Sequence, residues 1–333
     1  MVTISICMIV KNEEKHLARC LDSIADLAEE LIIVDTGSTD RTKEIAAKYN
    51  ARIYDFKWNG DFSDARNFSF SKATKEYIYQ ADADEVLDET NRMRFKMLKQ
   101  AMDKRVDIVQ MFYCNQLEFN TVYNQDKEYR PKMYKRLREF YFEDPIHEQV
   151  RLTPVIFDSD VEILHMPDRA HSQRDFAGFL MMIKKGLPVS KRLHNMYATE
   201  LVIAGEDKDF LDAKEFFTQS VTDENRTIEE IKEAALILVK AAHIENDISA
   251  MFKYSLKDVA TYASSEMCYE IGEYFYEQGD YNEAALWYYN SIYECKPIVY
   301  EKIRDVYAKE QLANCYEMFG NHAEAKKIRD ELE

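Results

Sequence analysis

The sequence predicts an α/β domain with a mostly parallel sheet, followed by an all-α domain. In the first half of the chain, short apolar runs typical of buried strands alternate with stretches in which apolar residues recur at helical spacing. After about residue 172 no strand pattern remains, and small and aromatic residues recur at the spacing of helical repeats. The 333 residues are enough for two separate cores, and we predict domains over residues 1–170 and 171–333.

Predicted strands and helices alternate along the first domain. The predicted strands are residues 4–10, 31–34, 52–56, 77–80 and 107–114, and the predicted helices are residues 17–24, 44–49 and 63–73. This alternation is typical of parallel strands with right-handed crossovers, in which ligands bind beyond the carboxyl ends of the strands. Asn12, Asp35 and Asp82 each come just after a strand, so we expect them where a nucleotide would bind.

The segment DADE at residues 82–85 follows the fourth strand. Because alternate residues of a strand face the same side, Asp82 and Asp84 are expected to project together. Two carboxylates this close repel each other unless a cation or hydrogen-bond donors stand between them. Oxygen ligands suit Mg²⁺ or Mn²⁺, and such a metal commonly holds a diphosphate. An acidic first turn of the next helix is the alternative, and it explains Asp88 and Glu89 better than it explains the first two acids.

Composition excludes several classes of function. The chain carries 44 Lys and Arg against 61 Asp and Glu, and a formal charge of −17 argues against nonspecific binding to nucleic acid or anionic membranes. Its six cysteines form no C-x-x-C pair, which disfavours a zinc ribbon or a dithiol redox site. The apolar run 4–10 is too short to span a bilayer, so we expect no membrane span and a cytoplasmic location.

The stretch from about residue 115 to 165 changes character. Aromatic and basic residues interleave over 129–136, and acidic residues and a histidine surround Pro145 in the segment 142–150. We interpret this stretch as irregular structure that builds a site, apart from a short strand that leads to His165.

The second domain contains a pattern that is typical of tetratricopeptide repeats. The matching residues are Gly272, Phe275, Gly279, Tyr281, Ala284 and Tyr288. A second copy starts near Leu312, residues 196–219 form a degenerate earlier copy with its turn at Gly205, and an extended helix is expected around 297–310. A plain bundle of helical hairpins is the alternative.

The first domain resembles the family 2 glycosyltransferases of GT-A fold, and the helical remainder is similar to the repeat tails of bacterial members that glycosylate peptides and proteins. The segments that carry this resemblance are VKNEE at 10–14, VDTGSTD at 34–40, FSDARN at 62–67 and ADADE at 81–85. All four occur in the family's order and at similar spacings.

The resemblance implies a UDP-sugar donor and a divalent metal, Mn²⁺ or Mg²⁺. Asp35 would contact the base, Asp82 the ribose or diphosphate, and Asp84 the metal, while His165 is either a further metal ligand or a histidine that ends a strand. The expected nucleotide-sugar-binding residues are Val10, Asn12, Glu13, Asp35, Gly37, Arg66, Asn67, Asp82 and Arg136. The two arginines among them could equally be surface residues.

The segment 142–150 resembles the region that supplies the acceptor base in this family. Glu148 is our first choice for the base, with His147 to orient it, and Asp144 is the rival. The resulting hypothesis is an inverting hexosyltransferase that moves a sugar from a UDP-sugar to a Ser, Thr or Cys side chain of a peptide or protein, because tetratricopeptide surfaces usually bind polypeptide. Two alternatives are transfer to a cell-surface glycan or lipid-linked precursor, and a repeat adaptor with an inactive transferase domain. The helical domain could also pair with a second copy of the chain.

Overall fold

The structure is a computed structural model. It describes residues 1–115, 127–137, 142–143, 146, 149–166 and 172–332. Contacts between Cα atoms divide the chain into two compact units, Met1–Ala170 and His171–Glu333. Among the described residues, no helix is both long and apolar enough to cross a membrane.

The first unit alternates strands and helices before a strand-rich second part. Its strands are β1 (Ile4–Val10), β2 (Glu30–Asp35), β3 (Arg52–Asp55), β4 (Tyr77–Gln80), β5 (Glu85–Val86), β6 (Ile108–Asn115), β7 (Lys127–Lys135), β8 (Phe142–Glu143), β9 (Gln149–Val150) and β10 (Ile156–His165). Its helices are α1 (Leu17–Ile24), α2 (Thr42–Lys48), α3 (Phe62–Ser71) and α4 (Glu89–Ala101).

Eight of these strands form one sheet in the order β3-β2-β1-β4-β7-β6-β10-β5, and β8 and β9 pair separately. Strands β3, β2, β1 and β4 are parallel neighbours, and β6 and β10 are parallel to each other. Strand β7 runs antiparallel between β4 and β6, and β5 runs antiparallel at the edge. The carboxyl ends of β1, β2, β4, β6 and β10 therefore meet at one edge of the sheet. This arrangement confirms the predicted mostly parallel α/β sheet.

The sheet carries apolar residues on both faces, as strands without strict alternation require. On one face Ile6 and Met8 pack with Leu21 of α1 in the larger core. On the other face Cys7 packs with Ile32 in a smaller cluster under α3. Helices therefore cover both faces, and the carboxyl edge of the sheet stays available for the loops that follow the strands.

The prediction of irregular structure from about residue 115 to 165, apart from a short strand leading to His165, is wrong for part of that stretch. Residues 127–135 form the long strand β7, which pairs with both β4 and β6. Its charged residues and Pro131 interrupt the alternation of polar and apolar residues by which a strand is recognised in a sequence.

The second unit is all-α in its described residues, as predicted. Its helices are α5 (Ser172–Lys184), α6 (Lys191–Ala204), α7 (Asp207–Ser220), α8 (Ile228–Ile244), α9 (Ile248–Val259), α10 (Ser265–Glu277), α11 (Tyr281–Tyr289), α12 (Ala308–Met318) and α13 (His322–Asp330). Two π-helical turns, Asn290–Glu294 and Ile303–Tyr307, adjoin α11 and α12.

The hairpins α10–α11 and α12–α13 follow the predicted repeat pattern. Gly279 and Gly320 end the first helix of each pair with φ values of +76° and +74°, a backbone conformation that favours glycine. Gly272 lies against Tyr288, where a Cβ atom would come within 2.7 Å of the ring. Small residues therefore occur where the two helices approach each other most closely. The predicted turn at Gly205 between α6 and α7 is also present.

The extended helix expected around residues 297–310 is only partly present, because residues 297–300 are not helical. Buried Glu266 binds this segment by accepting hydrogen bonds from the backbone N–H groups of Ile298, Val299 and Tyr300 at 2.8–3.0 Å. A carboxylate thus replaces the carbonyl partners that a helix would supply.

Candidate active site

The loops after β1 and β2 bind each other at the carboxyl edge of the sheet. The side-chain oxygen of Asn12 accepts the backbone N–H of Thr39 at 2.8 Å, and the N–H of Asn12 donates to the Ser38 hydroxyl at 2.9 Å. Asn12 has a φ of +56°, which asparagine tolerates better than most side chains. The predicted residue Asn12 therefore shapes the joint surface of two loops.

Val10 and Glu13 contribute to the same loops through their backbones. The carbonyl of Val10 accepts hydrogen bonds from the N–H and the hydroxyl of Thr36, at 3.0 and 3.2 Å. The N–H of Glu13 donates to the hydroxyl of Thr42 at 2.7 Å. Their backbones therefore hold the first loop against the second.

Asp35 is the buried residue that organises the second loop. Its side chain is 1% exposed, and one oxygen accepts the N–H groups of Gly37 and Ser38 at 3.1 and 3.0 Å. The Nζ atom of Lys43 lies 3.6 Å from the same oxygen. Gly37 has a φ of +105°, so glycine suits this turn. The carboxylate predicted to contact the base thus already binds backbone N–H groups of its own loop.

The acidic segment forms a turn between β4 and β5, which differs from the extended strand end we predicted. The carbonyl of Asp82 accepts the N–H of Glu85 at 3.1 Å. The Asp82 side chain is 41% exposed, with the Arg66 guanidinium at 3.4 Å and the Lys132 ammonium at 3.9 Å. Partial burial raises the pKa of Asp82, but Lys132 and Arg66 outweigh this effect, and the net pKa is below its ordinary value.

Asp84 and His165 lie next to each other at the end of β10. The Nε2 atom of His165 lies 3.2 Å from Oδ2 of Asp84, and the Asp84 carbonyl accepts the N–H of Met166 at 2.8 Å. A carboxylate oxygen with an imidazole nitrogen is a donor set that Mn²⁺ accepts. In the described part of the chain, no three His, Cys, Asp or Glu residues lie together as a group that could hold a metal.

A buried ion pair beneath the acidic turn was missed by our sequence reasoning. The Nζ atom of Lys132 lies 2.6 Å from Oε1 of Glu85, and both side chains are less than 5% exposed. Burial raises the pKa of Glu85 to about 7, although Lys132 acts in the opposite direction. The signals were available, since Glu85 belongs to the acidic segment and Lys132 to the aromatic and basic stretch.

The remaining predicted donor-site residues lie in different places. Arg66 on α3 contacts Asp82, and its Nη1 atom is buried without a hydrogen-bond partner in the described structure. Asn67 is the next residue of α3 and is exposed. Arg136 lies at the amino end of β4, where it donates to the carbonyls of residues 75 and 76 at 2.7 and 2.9 Å. The structure therefore does not bring Arg136 to the other site residues.

The three residues predicted for acceptor activation lie outside the described residues. They are Asp144, His147 and Glu148.

Comparison with known proteins identifies the class of the first unit. Residues 5–161 match the family model described as glycosyl transferase family 2. This range covers the sheet, the acidic turn and most of β10. The first unit is therefore a family 2 glycosyltransferase domain.

Curated relatives carry compatible names but match only in part. A TPR repeat-containing protein of Synechococcus elongatus is 47% identical over 87 residues, which is 26% of this chain and 22% of the relative. The SPbeta prophage-derived glycosyltransferase SunS of Bacillus subtilis is 36% identical over 103 residues, 30% of this chain and 24% of the relative. An uncharacterized glycosyltransferase of Rickettsia typhi is 35% identical over 89 residues, which is 27% of this chain and 30% of the relative. The matches span less than a third of these relatives.

Among solved structures, glucosyl-3-phosphoglycerate synthase of Mycobacterium tuberculosis, in complex with Mn²⁺ and uridine-diphosphate-glucose, has a TM-score of 0.38 with this chain. The two are 16% identical, and the match covers 57% of this chain and 81% of that one.

Proposed function

We propose that this protein is a metal-dependent, inverting glycosyltransferase that transfers a hexose from a UDP-sugar to a peptide or protein. The observation that carries the proposal is the pairing of Asp84 with His165 beside Asp82, at the carboxyl edge of a family 2 transferase sheet. Two cations, Arg66 and Lys132, lie 3.4 and 3.9 Å from the carboxylate of Asp82. An acidic turn with flanking cations suits a metal together with the diphosphate of a nucleotide.

Asp84 and His165 would hold the Mn²⁺ or Mg²⁺ ion. A bound divalent ion would stabilise the negative charge of the departing diphosphate. The guanidinium of Arg66 would add to that role, since its Nη1 atom has no hydrogen-bond partner among the described residues and can donate to a phosphate oxygen. Asp82, which is partly exposed, is placed to accept a ribose hydroxyl or to approach the diphosphate.

The joined loops after β1 and β2 would receive the nucleoside. Asp35, held by backbone N–H groups, keeps acceptor capacity for an N–H of the base, because an ionised carboxylate offers about four lone-pair sites. Gly37 carries no side chain, and a Cβ atom there would meet no atom within 4 Å, so the surface above the loop is open. Asn12 holds the two loops together by accepting the N–H of Thr39.

The sugar would pass to the acceptor with inversion of configuration. Glu148, with His147 to orient it, would remove the proton from the attacking hydroxyl or thiol. Asp144 is the alternative base. Both assignments are supported by the resemblance of this segment to the family. The acceptor would be a Ser, Thr or Cys side chain, because the helical hairpins follow a repeat pattern that usually binds polypeptide, and a relative is named for such repeats. A second copy of the chain is a further expected partner.

The test is calorimetry of UDP binding with Mn²⁺ and with EDTA, followed by hydrolysis assays with a panel of UDP-sugars. Tight UDP binding is expected only with the metal. Asp84→Asn and His165→Ala should each weaken it by at least the roughly 10–100-fold that is typical for loss of an outer-shell partner, because both residues are proposed as direct ligands. Glu89→Gln is the matched control, because Glu89 is an exposed acid of the next helix. Equal UDP affinity in both buffers would contradict a metal-dependent enzyme. If sugar were transferred to a lipid-linked acceptor and not to a polypeptide, the proposed polypeptide acceptor would be wrong.

A further inference from the structure

Strand β7 contains one extra residue opposite β6. Val109 pairs with Met133 and Gln110 pairs with Pro131, so Lys132 lies in a β-bulge between two paired positions. Bulges are frequent next to active sites, where they redirect a side chain. Proline suits such a break because it has no N–H to contribute to the ladder.

The bulge changes which way the side chain of Lys132 points. In a regular strand, neighbouring residues face opposite sides of the sheet. Here Met133 is fully buried in the larger core, and the Nζ atom of the neighbouring Lys132 lies 5.7 Å from the ring centroid of Tyr113, which belongs to the same core, so the two neighbours face one side of the sheet. The Lys132 side chain is only 4% exposed. The ammonium group contacts Glu85 of the acidic turn and is shielded from solvent. A charged residue in such a position needs a partner, because unpaired burial is costly.

The partner of Lys132 connects it to the backbone of the turn. Its Nζ atom lies 2.6 Å from Oε1 of Glu85, and Oε2 of Glu85 accepts the backbone N–H of Asp82 at 3.2 Å. The N–H of Glu85 in turn donates to the carbonyl of Asp82 at 3.1 Å. The bulge, the ion pair and the turn thus form one continuous chain of contacts that ends at the backbone of Asp82, between the strand and the acidic turn.

Stability alone does not explain this ion pair. Replacing a buried ion pair by apolar side chains of similar volume is often neutral or stabilising, because two charges must lose their hydration. The chain nevertheless combines a strand bulge with a buried lysine at one turn. A requirement for a defined turn geometry accounts for both features.

We propose that Lys132 is a positioning residue, which acts through Glu85 to hold the Asp82–Asp84 turn in the geometry that receives the metal and the diphosphate. This inference rests on the proposed function of the same site. Lys132 also supplies a positive charge 3.9 Å from Asp82, so that three carboxylates within four residues can remain close together.

The experiment measures Mn²⁺ affinity by electron paramagnetic resonance and UDP affinity by calorimetry in the full-length protein. The main variant is the double substitution Lys132→Met with Glu85→Met, which removes both charges and retains apolar volume. It is expected to fold with a melting temperature near that of the wild type, and to bind Mn²⁺ about 10–100-fold more weakly, the loss typical of outer-shell partners of a metal site. Lys132→Arg should recover most of the affinity, because it restores a cation opposite Glu85.

A second ion pair provides the matched control. Lys99 pairs with Glu29 in the same unit, and Glu29 also accepts the N–H of Ile4 at the amino end of β1, away from the acidic turn. Lys99→Met should lower the melting temperature and leave Mn²⁺ and UDP affinity unchanged. If the double variant does not fold, Glu85→Gln replaces it, with the same expected loss of Mn²⁺ affinity.

The outcomes separate the inference from the function on which it rests. Wild-type Mn²⁺ and UDP affinity in a folded double variant, or in Glu85→Gln, would overturn the positioning role and leave the proposed transferase function intact. Failure of the wild-type protein itself to bind UDP with Mn²⁺ would overturn the proposed function, and this inference with it.

Discussion

The imidazole of His165 lies 3.2 Å from the carboxylate of Asp84, although 81 residues separate them in the chain. The antiparallel pairing of β5 with β10 produces this contact, since His165 is the partner of Glu85 in the ladder. The N–H of Met166 extends the pairing by donating to the Asp84 carbonyl at 2.8 Å. Backbone hydrogen bonds thus align Glu85 with His165, and this alignment brings the Asp84 carboxylate next to the His165 imidazole.

Asp35 should be required for both loop geometry and base selection. Asp35→Ala removes the acceptor for the N–H groups of Gly37 and Ser38, as well as the proposed contact with the base. We expect a loss of about 1–3 kcal/mol in UDP affinity. Calorimetry with UDP, GDP and CMP on the wild type and the variant measures this change. A preference of the wild-type protein for GDP or CMP would contradict the assignment of a uridine nucleotide.

Glu148 should be the base, with Asp144 as the rival. Removing a general base lowers the rate about 10²–10⁴-fold and leaves donor binding largely intact. Transfer rates of Glu148→Gln and Asp144→Asn at saturating donor decide between the two residues, with UDP affinity as the control for each. A loss of less than about tenfold in both variants would exclude both, since a positioned base contributes more than that.

Much of the fold could be predicted because the decisive patterns are local. Buried runs such as residues 4–10 indicate strands, and the alternation with helices indicates a parallel sheet. Strand β7 escaped prediction because its partners, β4 and β6, determine its conformation more than its own composition does. Its antiparallel direction also explains Arg136, which was expected at the donor and lies at the amino end of β4.

The acidic residues of the site could be predicted from the sequence, but its ion pairs could not. The acids of the turn and His165 stand at recognisable points of the sequence, just after strands. Lys132 is one of several basic residues in its stretch, and only the bulge opposite Val109 and Gln110 distinguishes it from them. A bulge depends on register between distant strands, which no single segment encodes.

Gly272 should be necessary for the close approach of α10 and α11. In Gly272→Ala the new methyl group would come within 2.7 Å of the Tyr288 ring, which is fully buried. We expect a destabilisation of about 1–3 kcal/mol from overpacking, measured by chemical denaturation. Gly178→Ala on α5 is the control, because a Cβ atom there meets nothing within 4 Å and alanine favours helix. Equal stability of the two variants would show that the helices can separate without cost.

The helical unit should hold the acceptor and take no part in the chemistry. The residues that we propose for donor binding, from Asn12 to His165, all lie in the first unit, whereas the second unit exposes aromatic residues such as Tyr289 and Tyr293. A chain truncated after residue 166 is therefore expected to bind UDP with Mn²⁺ and to hydrolyse the UDP-sugar slowly, but to lose transfer to a polypeptide acceptor. The paired measurements are donor hydrolysis and acceptor transfer on the truncated and full-length proteins, with light scattering to report oligomeric state. Full transfer activity after truncation would contradict acceptor binding by the repeats. If light scattering then showed that only the full-length chain dimerises, the repeats would instead be the element that joins two copies.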